Sequence, residues 1–410
     1  MEENKLSIVV MKFGGTSVAD VDRIRRVAGR IQKSLAAGEH PVVVVSAMGK
    51  TTDDLIGLAR QISTKPSARE MDMLVTTGEQ VTTSLLAMAL QEVGVFARSL
   101  TGWQAGIQTE AVHGKAKVSE VDTSTLEQVI GEGAVPIVAG FQGITDTGEI
   151  TTLGRGGSDT TAVILAASLQ ADRCEIYTDV EGVYTADPRY IPTAQKMSEI
   201  SYQEMLELAH LGAGVLHPRS VECALVHGVN LVVRSSFVDE PGTDIVEVEK
   251  METALQVRGI AHDLEVARMT VFGLPNRENT LAQLFQTLAD AHINVDMIGL
   301  SEHAEERVDI SFSLAEEELD QAREILEQNQ EILEYQRLDS EMGLAKVSAV
   351  GVGMMTRPGV AAQIFQTLSS AGVRIKMVTT SEIKVSCLVE QGLALTATKE
   401  LHRVFGLDSI

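Results

Sequence analysis

Over the first 240 residues, short unbroken apolar runs alternate with stretches in which apolar side chains return every three or four positions. The runs at 6–13 (LSIVVMKF), 42–45, 135–141, 174–177 and 229–234 predict buried strands of a largely parallel sheet. Between the first two, Val21, Ile24, Val27, Ile31 and Leu35 share one helical face, and Gly38 stops the helix. Strand, glycine turn, helix and strand make a βαβ unit, whose loops at the carboxyl ends of strands are where such sheets bind ligands. Further helices are expected over 71–90, around TTGEQVTTSLLAMAL, and over about 158–169. Ser124 with Glu127, and Ser201 with Glu204, have capping-box spacing for two more. The pattern ends at a polar connector containing Pro241 and Gly242.

Beyond the connector the chain repeats itself. Phe285-Gln286-Thr287-Leu288 returns as Phe365-Gln366-Thr367-Leu368, an offset of 80 (365 − 285). The same offset relates Gly273 to Gly353, Val295 to Ile375, Met297 to Met377, and Ser301-Glu302 to Ser381-Glu382. Each copy reads strand, turn, amphipathic helix, strand and further strand, a small α+β unit present twice, with sheets expected to pair.

Charge and cysteine usage narrow the function. The chain has 410 residues and a formal net charge of −23, from 57 acidic and 34 basic residues. That balance argues against nucleic acid or an anionic membrane as the main partner. Cys174, Cys223 and Cys387 are far apart and form no CxxC pair, so neither a disulfide framework nor a zinc site is expected, and a reducing cytoplasm fits. The apolar stretch at 6–11 is too short for the core of a signal peptide, and no run approaches a membrane span.

Candidate chemistry gathers in glycine-rich turns. Residues 148–162 read GEITTLGRGGSDTTA, between a predicted strand and a predicted helix. Gly154, Gly156 and Gly157 permit close backbone approach, the helix start presents free N–H groups, and Arg155 adds a fork matched to carboxylate or phosphate. Ser158 and Asp159 fall in the N-cap region. Taken singly, the stretch also reads as a tight turn before a capped helix. Lys12 ends the first strand and precedes Gly14 and Gly15; no GxxxxGK[ST] occurs, so this is not a P-loop. An ammonium there suits phosphates, and equally an exposed lysine before a turn. Glu79, beside Gly78, stands in a first helical turn, where an acid ordinarily offsets the dipole. Thr178 and Asp179 lead into a loop carrying Gly182, Tyr184, Asp187, Pro188 and Arg189, suited to framing a nucleotide or to a long surface turn.

As an ordered set, these motifs resemble the aspartate kinase (aspartokinase) family. KFGGTS at 12–17, SAMGKTTDDL, TTGEQ, TTLGRGGSDTTA and TDVEGVYTADPR look like its kinase motifs in order and spacing, and the duplicated half looks like its two ACT domains. The resemblance covers nearly the whole chain and is to the monofunctional form. It implies an α/β amino-acid-kinase fold, a mostly parallel sheet covered by helices, followed by two α+β ferredoxin-like ACT domains. The implied boundaries are 1–240 for the catalytic domain, 241–262 for a linker, and 263–340 and 341–410 for the ACT domains.

The implied reaction is ATP plus L-aspartate giving ADP and 4-phospho-L-aspartate, opening lysine, threonine and methionine biosynthesis. By resemblance, Lys12 neutralises the β/γ phosphates together with Mg²⁺ and the N–H groups near Gly14 and Gly15, and Asp159 organises Lys12. Arg155 holds a substrate carboxylate, Glu79 faces the substrate ammonium, and Ser46, Thr52 and Ser158 supply hydrogen bonds. Thr178, Asp179, Tyr184, Asp187 and Arg189 line the ATP side. Some relatives carry lysine where this chain has Gly214, so an ATP contact from that position does not carry over.

The resemblance further implies feedback inhibition by L-lysine, alone or with threonine. The site would lie in the first repeat, from Asn276 and Thr280 with Asn294, Val295, Asp296, Ser301 and Glu302. Other relatives have a Gln-Asn pair nearby, whereas this chain reads Gly299-Leu300, which leaves a threonine component open. The assembly expected is a homo-oligomer through the ACT domains, or an α₂β₂ form whose smaller subunit starts at Met251. Two other readings stand beside it: another acyl-phosphate-forming amino-acid kinase on the same fold, or a catalytically inactive amino-acid sensor.

Overall fold

A computed structural model describes residues 6–212, 214–247, 255–303, 306–355 and 358–409. The chain divides into two compact units: 1–183 with 196–210 and 214–251, and 184–195 with 211–213 and 252–410.

In chain order the first unit holds β1 (Ile8–Phe13), α1 (Val21–Ala36), β2 (His40–Val45), α2 (Thr51–Ile62), α3 (Ala68–Val75), α4 (Thr77–Glu92), β3 (Ala97–Leu100), β4 (Ile107–Thr109) and β5 (Val118–Val121). It continues with α5 (Ser124–Gly131), β6 (Val135–Ala139), β7 (Gln142–Ile144), β8 (Ile150–Thr152), α6 (Gly157–Ser168) and β9 (Arg173–Thr178). β10 (Glu199–Ser201), α7 (Tyr202–His210), α8 (Pro218–His227), β11 (Leu231–Ser235) and β12 (Thr243–Val246) complete it. Eight strands form one sheet in the order β10-β12-β11-β9-β1-β2-β6-β3. It is parallel throughout except where β12 runs antiparallel to β11. A second sheet, β5-β4-β7-β8, comes from strands of three or four residues, too short to show an alternation in sequence.

β1 is the pivot. The chain leaves it toward β2 and later returns on its other side through α6 and β9, so the carboxyl end of β1 lies at a reversal of strand order. Val9, Met11 and Phe13 pack with Ile24, Val27 and Ile31 of α1 and Leu86 and Leu90 of α4. Alternation sends Lys12 to the opposite face of the sheet.

Three local expectations are corrected. The stretch 71–90 is two helices, because the Thr76 carbonyl accepts from the Gln142 amide (3.0 Å) and Gly78 must pass close to Ala47. Ser124 does not cap α5: the Asp122 carboxylate takes the Ser124 N–H (3.0 Å), and Glu127 accepts from the Thr123 hydroxyl (2.7 Å). The connector expected over 241–262 has a strand at each end, β12 in the first unit and the start of β13 in the second. The box at Ser201 forms: the Ser201 N–H donates to Glu204 (3.1 Å), whose own N–H donates to the Ser201 hydroxyl (3.2 Å).

The second unit contains β13 (Gly259–Pro275), α9 (Thr280–Asp290), β14 (Ile298–His303), β15 (Arg307–Ala315), α10 (Leu319–Gln328), α11 (Gln330–Leu333) and β16 (Arg337–Val350). α12 (Val360–Ser370), β17 (Met377–Thr380), β18 (Lys384–Glu390) and α13 (Ala394–Val404) follow. Its sheet runs β14-β15-β13-β16-β18-β17, two copies of one arrangement joined where β13 pairs antiparallel with β16. The repeat offset survives in the helices, since α9 and α12 begin at 280 and 360. Each copy keeps its own core, around Leu284, Leu288 and Phe312 in one and Ile364, Leu368 and Leu401 in the other.

Candidate active site

Several backbone segments meet at the carboxyl end of β1. The Gly14 N–H donates to the Tyr177 carbonyl (3.2 Å), tying the first turn to the end of β9. A side chain at Gly15 would meet the Ala47 carbonyl at 2.9 Å, and one at Gly78 the Ala47 Cβ at 2.8 Å. The absence of both side chains lets the β1 turn, the loop after β2 and the start of α4 touch. A side chain at Gly140, after β6, would meet the Ser158 Cβ at 2.7 Å, which seats the start of α6 against the same edge.

Three charged side chains occupy this convergence. Lys12 Nζ lies 2.6 Å from Asp159 Oδ1, with both side chains about nine-tenths buried. Asp159 sits in the first turn of α6, after a left-handed Gly156 at the cap, where the positive end of the helix dipole lies. Glu79 is buried in the first turn of α4. Its Oε1 accepts the Ala47 N–H (3.1 Å), while Oε2 is buried without a hydrogen-bond partner. Burial pushes this carboxyl up to about 7, against the pull of the Ala47 N–H. A buried carboxylate oxygen with no donor is costly and fits a cationic ligand group.

Arg155 is exposed in the turn before α6. Ser46 follows β2 directly, its N–H donating to the Phe13 carbonyl (3.1 Å), and Thr52 lies in the first turn of α2. Thr178 ends β9 and donates its hydroxyl to Asp179 (3.1 Å). Tyr184, Asp187 and Arg189 belong to the second unit. There the Ile260 N–H donates to the Thr185 carbonyl (2.8 Å), and the Thr185 hydroxyl lies 2.9 Å from His402 Nε2. Asp187 and Arg189 are paired at 2.6 Å. Burial would raise the Asp187 carboxyl, but the Arg189 hydrogen bonds and charge hold it below its ordinary value.

The expected effector residues are all in the first repeat. The Asn276 N–H donates to the Glu306 carbonyl (2.7 Å), and the Thr280 hydroxyl to the Pro275 carbonyl (2.6 Å). Asn294, Ser301 and Glu302 are exposed, and Val295 packs beside the first-repeat core. Asp296 is ion-paired with Lys346 of β16, in the other repeat. Met251 lies outside the described residues.

Sequence reading missed a second group. Asp72, 1% exposed on α3, accepts from the Thr152 hydroxyl (2.6 Å) and the Gly114 N–H (3.0 Å) and lies 2.9 Å from His113 Nδ1. His217 caps α8, and burial, chiefly, holds its imidazole below its ordinary pKa. In sequence Asp72 was one polar residue in a helix, and His217 stood in a glycine-bearing loop with no periodicity.

A parallel sheet with glycine turns at its strand ends, a lysine–aspartate pair and a second unit of duplicated α+β repeats define an amino-acid kinase with a regulatory half. Residues 7–235 match the amino acid kinase family, and residues 270–330 and 347–405 match the ACT domain. An aspartokinase of Bacillus sp. (strain MGA3) is 56% identical over 403 residues, covering 98% of each chain. Aspartokinase 2 of Bacillus subtilis (strain 168) is 54% identical over 403 residues, again 98% of both. E. coli aspartokinase III, solved with aspartate and ADP, is 29% identical, covers 97% of this chain and 99% of its own, and gives a TM-score of 0.79. Its complex with lysine and aspartate gives 0.77. The chain belongs to the aspartokinases of the amino acid kinase family.

Proposed function

We infer that this protein phosphorylates the side-chain carboxylate of L-aspartate with ATP, giving ADP and 4-phospho-L-aspartate, and that its ACT repeats carry feedback inhibition. The observation that carries the reading is the trio at the end of β1: Lys12 paired with Asp159, beside a buried Glu79 with one unpartnered oxygen.

A carboxylate oxygen of aspartate attacks the γ-phosphorus, the bond to the β-phosphate oxygen breaks, and ADP leaves with that electron pair. The nucleophile is already ionised, so no base takes a proton, and catalysis rests on position and charge. Lys12 faces the charge that shifts toward the leaving phosphate, and Asp159 holds the ammonium in place. Glu79 receives the substrate ammonium, Arg155 its other carboxylate, and Ser46, Thr52 and Ser158 hydrogen-bond around them. N–H groups near Gly14 and Gly15, apart from the Gly14 N–H that the Tyr177 carbonyl holds, face the phosphates, with Thr178 and Asp179 on the nucleotide side.

Mg²⁺ would arrive with the nucleotide, spreading the phosphate charge. No three His, Cys, Asp or Glu side chains converge among the described residues, which suits an ion held mainly by phosphate oxygens. We place the protein in the cytoplasm: its cysteines are free, and no helix among the described residues is long and apolar enough to cross a membrane.

For control, L-lysine, alone or with threonine, binds the first repeat through Asn276, Thr280, Asn294, Val295, Asp296, Ser301 and Glu302. Assembly is a homo-oligomer through the ACT repeats, or α₂β₂ with a second product started at Met251. Mass spectrometry of protein expressed from the unmodified gene in its native host shows that product if the start is used, and its absence there rejects it. Coupled ADP detection over a panel of amino acids, with and without lysine and threonine, tests the activity. Turnover confined to aspartate is expected. Folded protein that binds lysine yet forms no ADP would favour the sensor, and turnover with another amino acid the alternative kinase.

A further inference from the structure

We propose that Arg219 is the positioning residue for Arg155, fixing the turn that presents Arg155 to the substrate carboxylate; this rests on the reading of Arg155 given above. Arg219 lies in the first turn of α8, where a cation opposes the helix dipole, so the helix itself gains nothing from it. Its guanidinium reaches back instead to two main-chain carbonyls. Nη1 donates to Leu153 (2.5 Å), and Nη2 donates to Ala116 (2.8 Å).

Those carbonyls bracket one structure. The Ala116 N–H donates to the Thr152 carbonyl (2.9 Å), and the Leu153 N–H to the Phe141 carbonyl (2.9 Å). With Arg219 on its carbonyl, both main-chain groups of Leu153 are held, two residues before Arg155. On the other side, the His217 ring fills the place of a side chain at Gly156, with Cγ 2.2 Å from an ideal Cβ there. His217 Nδ1 also accepts the Arg219 N–H (3.3 Å). One short segment, 217–219, therefore holds the chain both before and after Arg155.

The turn needs such a hold. Gly154 and Gly156 have φ of 77° and 68°, so two residues of high intrinsic freedom flank the exposed Arg155. An unanchored turn would spend binding free energy on ordering each time aspartate binds. A planar fork engages both carbonyls at once, whereas a lysine ammonium presents no such fork.

Steady-state kinetics of the full-length enzyme with both substrates varied test this. Arg219→Lys is expected to raise KM for aspartate about tenfold, the scale of one charge-assisted hydrogen bond, with kcat and KM for ATP within about twofold. Added to Arg155→Ala, it should raise KM for aspartate no further, since its effect runs through Arg155. Millimolar guanidinium ion should lower KM for aspartate in Arg219→Ala, a rescue that a general loss of folding does not give. A wild-type aspartate KM in Arg219→Lys overturns the proposal, as does a full additional increase on top of Arg155→Ala, or an equal rise in both KM values. Should Arg219→Lys not fold, Arg219→Gln is read by the same criteria. If Arg155→Ala alone leaves KM for aspartate unchanged, the reading of Arg155 itself has failed, and that result is distinct from the others.

Discussion

Glu79 shows how a residue can be placed correctly in a sequence and still be understood only in the fold. Its position in a first helical turn was legible, and an acid there ordinarily sits in water. The contact of Gly78 with Ala47 instead drives it under the sheet edge, where it is 3% exposed. Its carboxyl rises from an ordinary 4.5 to about 7, so the folded chain binds a proton that the unfolded chain releases between those values. Stability therefore falls as pH rises through that window. Glu79→Gln should stabilise the ligand-free protein at pH 8, by up to ~3 kcal/mol, and change little at pH 5, where Glu79 is already protonated. The same variant should lose most of its aspartate affinity. In the wild type kcat/KM for aspartate should climb as pH rises through about 7, as the carboxylate becomes available to an ammonium. Thermal melts at the two pH values and a pH–rate profile check this; equal melts at pH 8 would place the cost elsewhere. Lys12 was legible as a strand-end lysine before two glycines, whereas its pairing with Asp159, 147 positions later (159 − 12), came only through the resemblance, because nothing local encodes it.

At the scale of elements, the apolar runs that predicted β1, β2, β6, β9 and β11 carried over within a few residues, since strands buried on both faces leave uninterrupted signals. The small sheet went unseen because its strands are only three or four residues long and its contacts non-local. α6 depends on its entry. Gly156 at φ 68° lets the chain turn sharply enough to aim Arg155 outward and Asp159 at Lys12. Gly156→Ala should cost about 1–2 kcal/mol for the left-handed backbone and more for the collision with His217. Turnover should fall with stability, as seen in kcat and denaturant midpoint together. An alanine variant with wild-type values for both would show that this turn tolerates a different path.

For the whole molecule, the 80-residue repeat was the clearest long-range signal, and it became one six-stranded sheet with a pseudo-twofold relation across β13 and β16. The sequence did not reveal that Asp296, expected to receive an effector, is held by Lys346 of the other repeat. An ammonium bound at Asp296, as proposed, would have to displace Lys346, a charge of the neighbouring repeat. Asp296→Ala should raise the lysine concentration for half-inhibition between about fivefold and 150-fold, the span of ordinary allosteric coupling. Titrating lysine into the wild type and the variant measures it; an unchanged curve would move the effector site. The segment 184–195, read in sequence as part of the kinase half, clusters with the second unit through Ile260 and His402, contacts no periodicity announces.

The central claim is phosphoryl transfer to the aspartate side chain with Lys12 stabilising the transfer, and its most direct test is to trap the product. Purified enzyme, ATP, Mg²⁺ and L-aspartate are incubated with hydroxylamine, and the aspartyl hydroxamate formed is counted against ADP. One hydroxamate per ADP is predicted for the wild type, and loss of nearly all turnover in Lys12→Ala with little change in the apparent affinity for aspartate. ADP released without hydroxamate, or a Lys12→Ala enzyme that turns over normally, would contradict it.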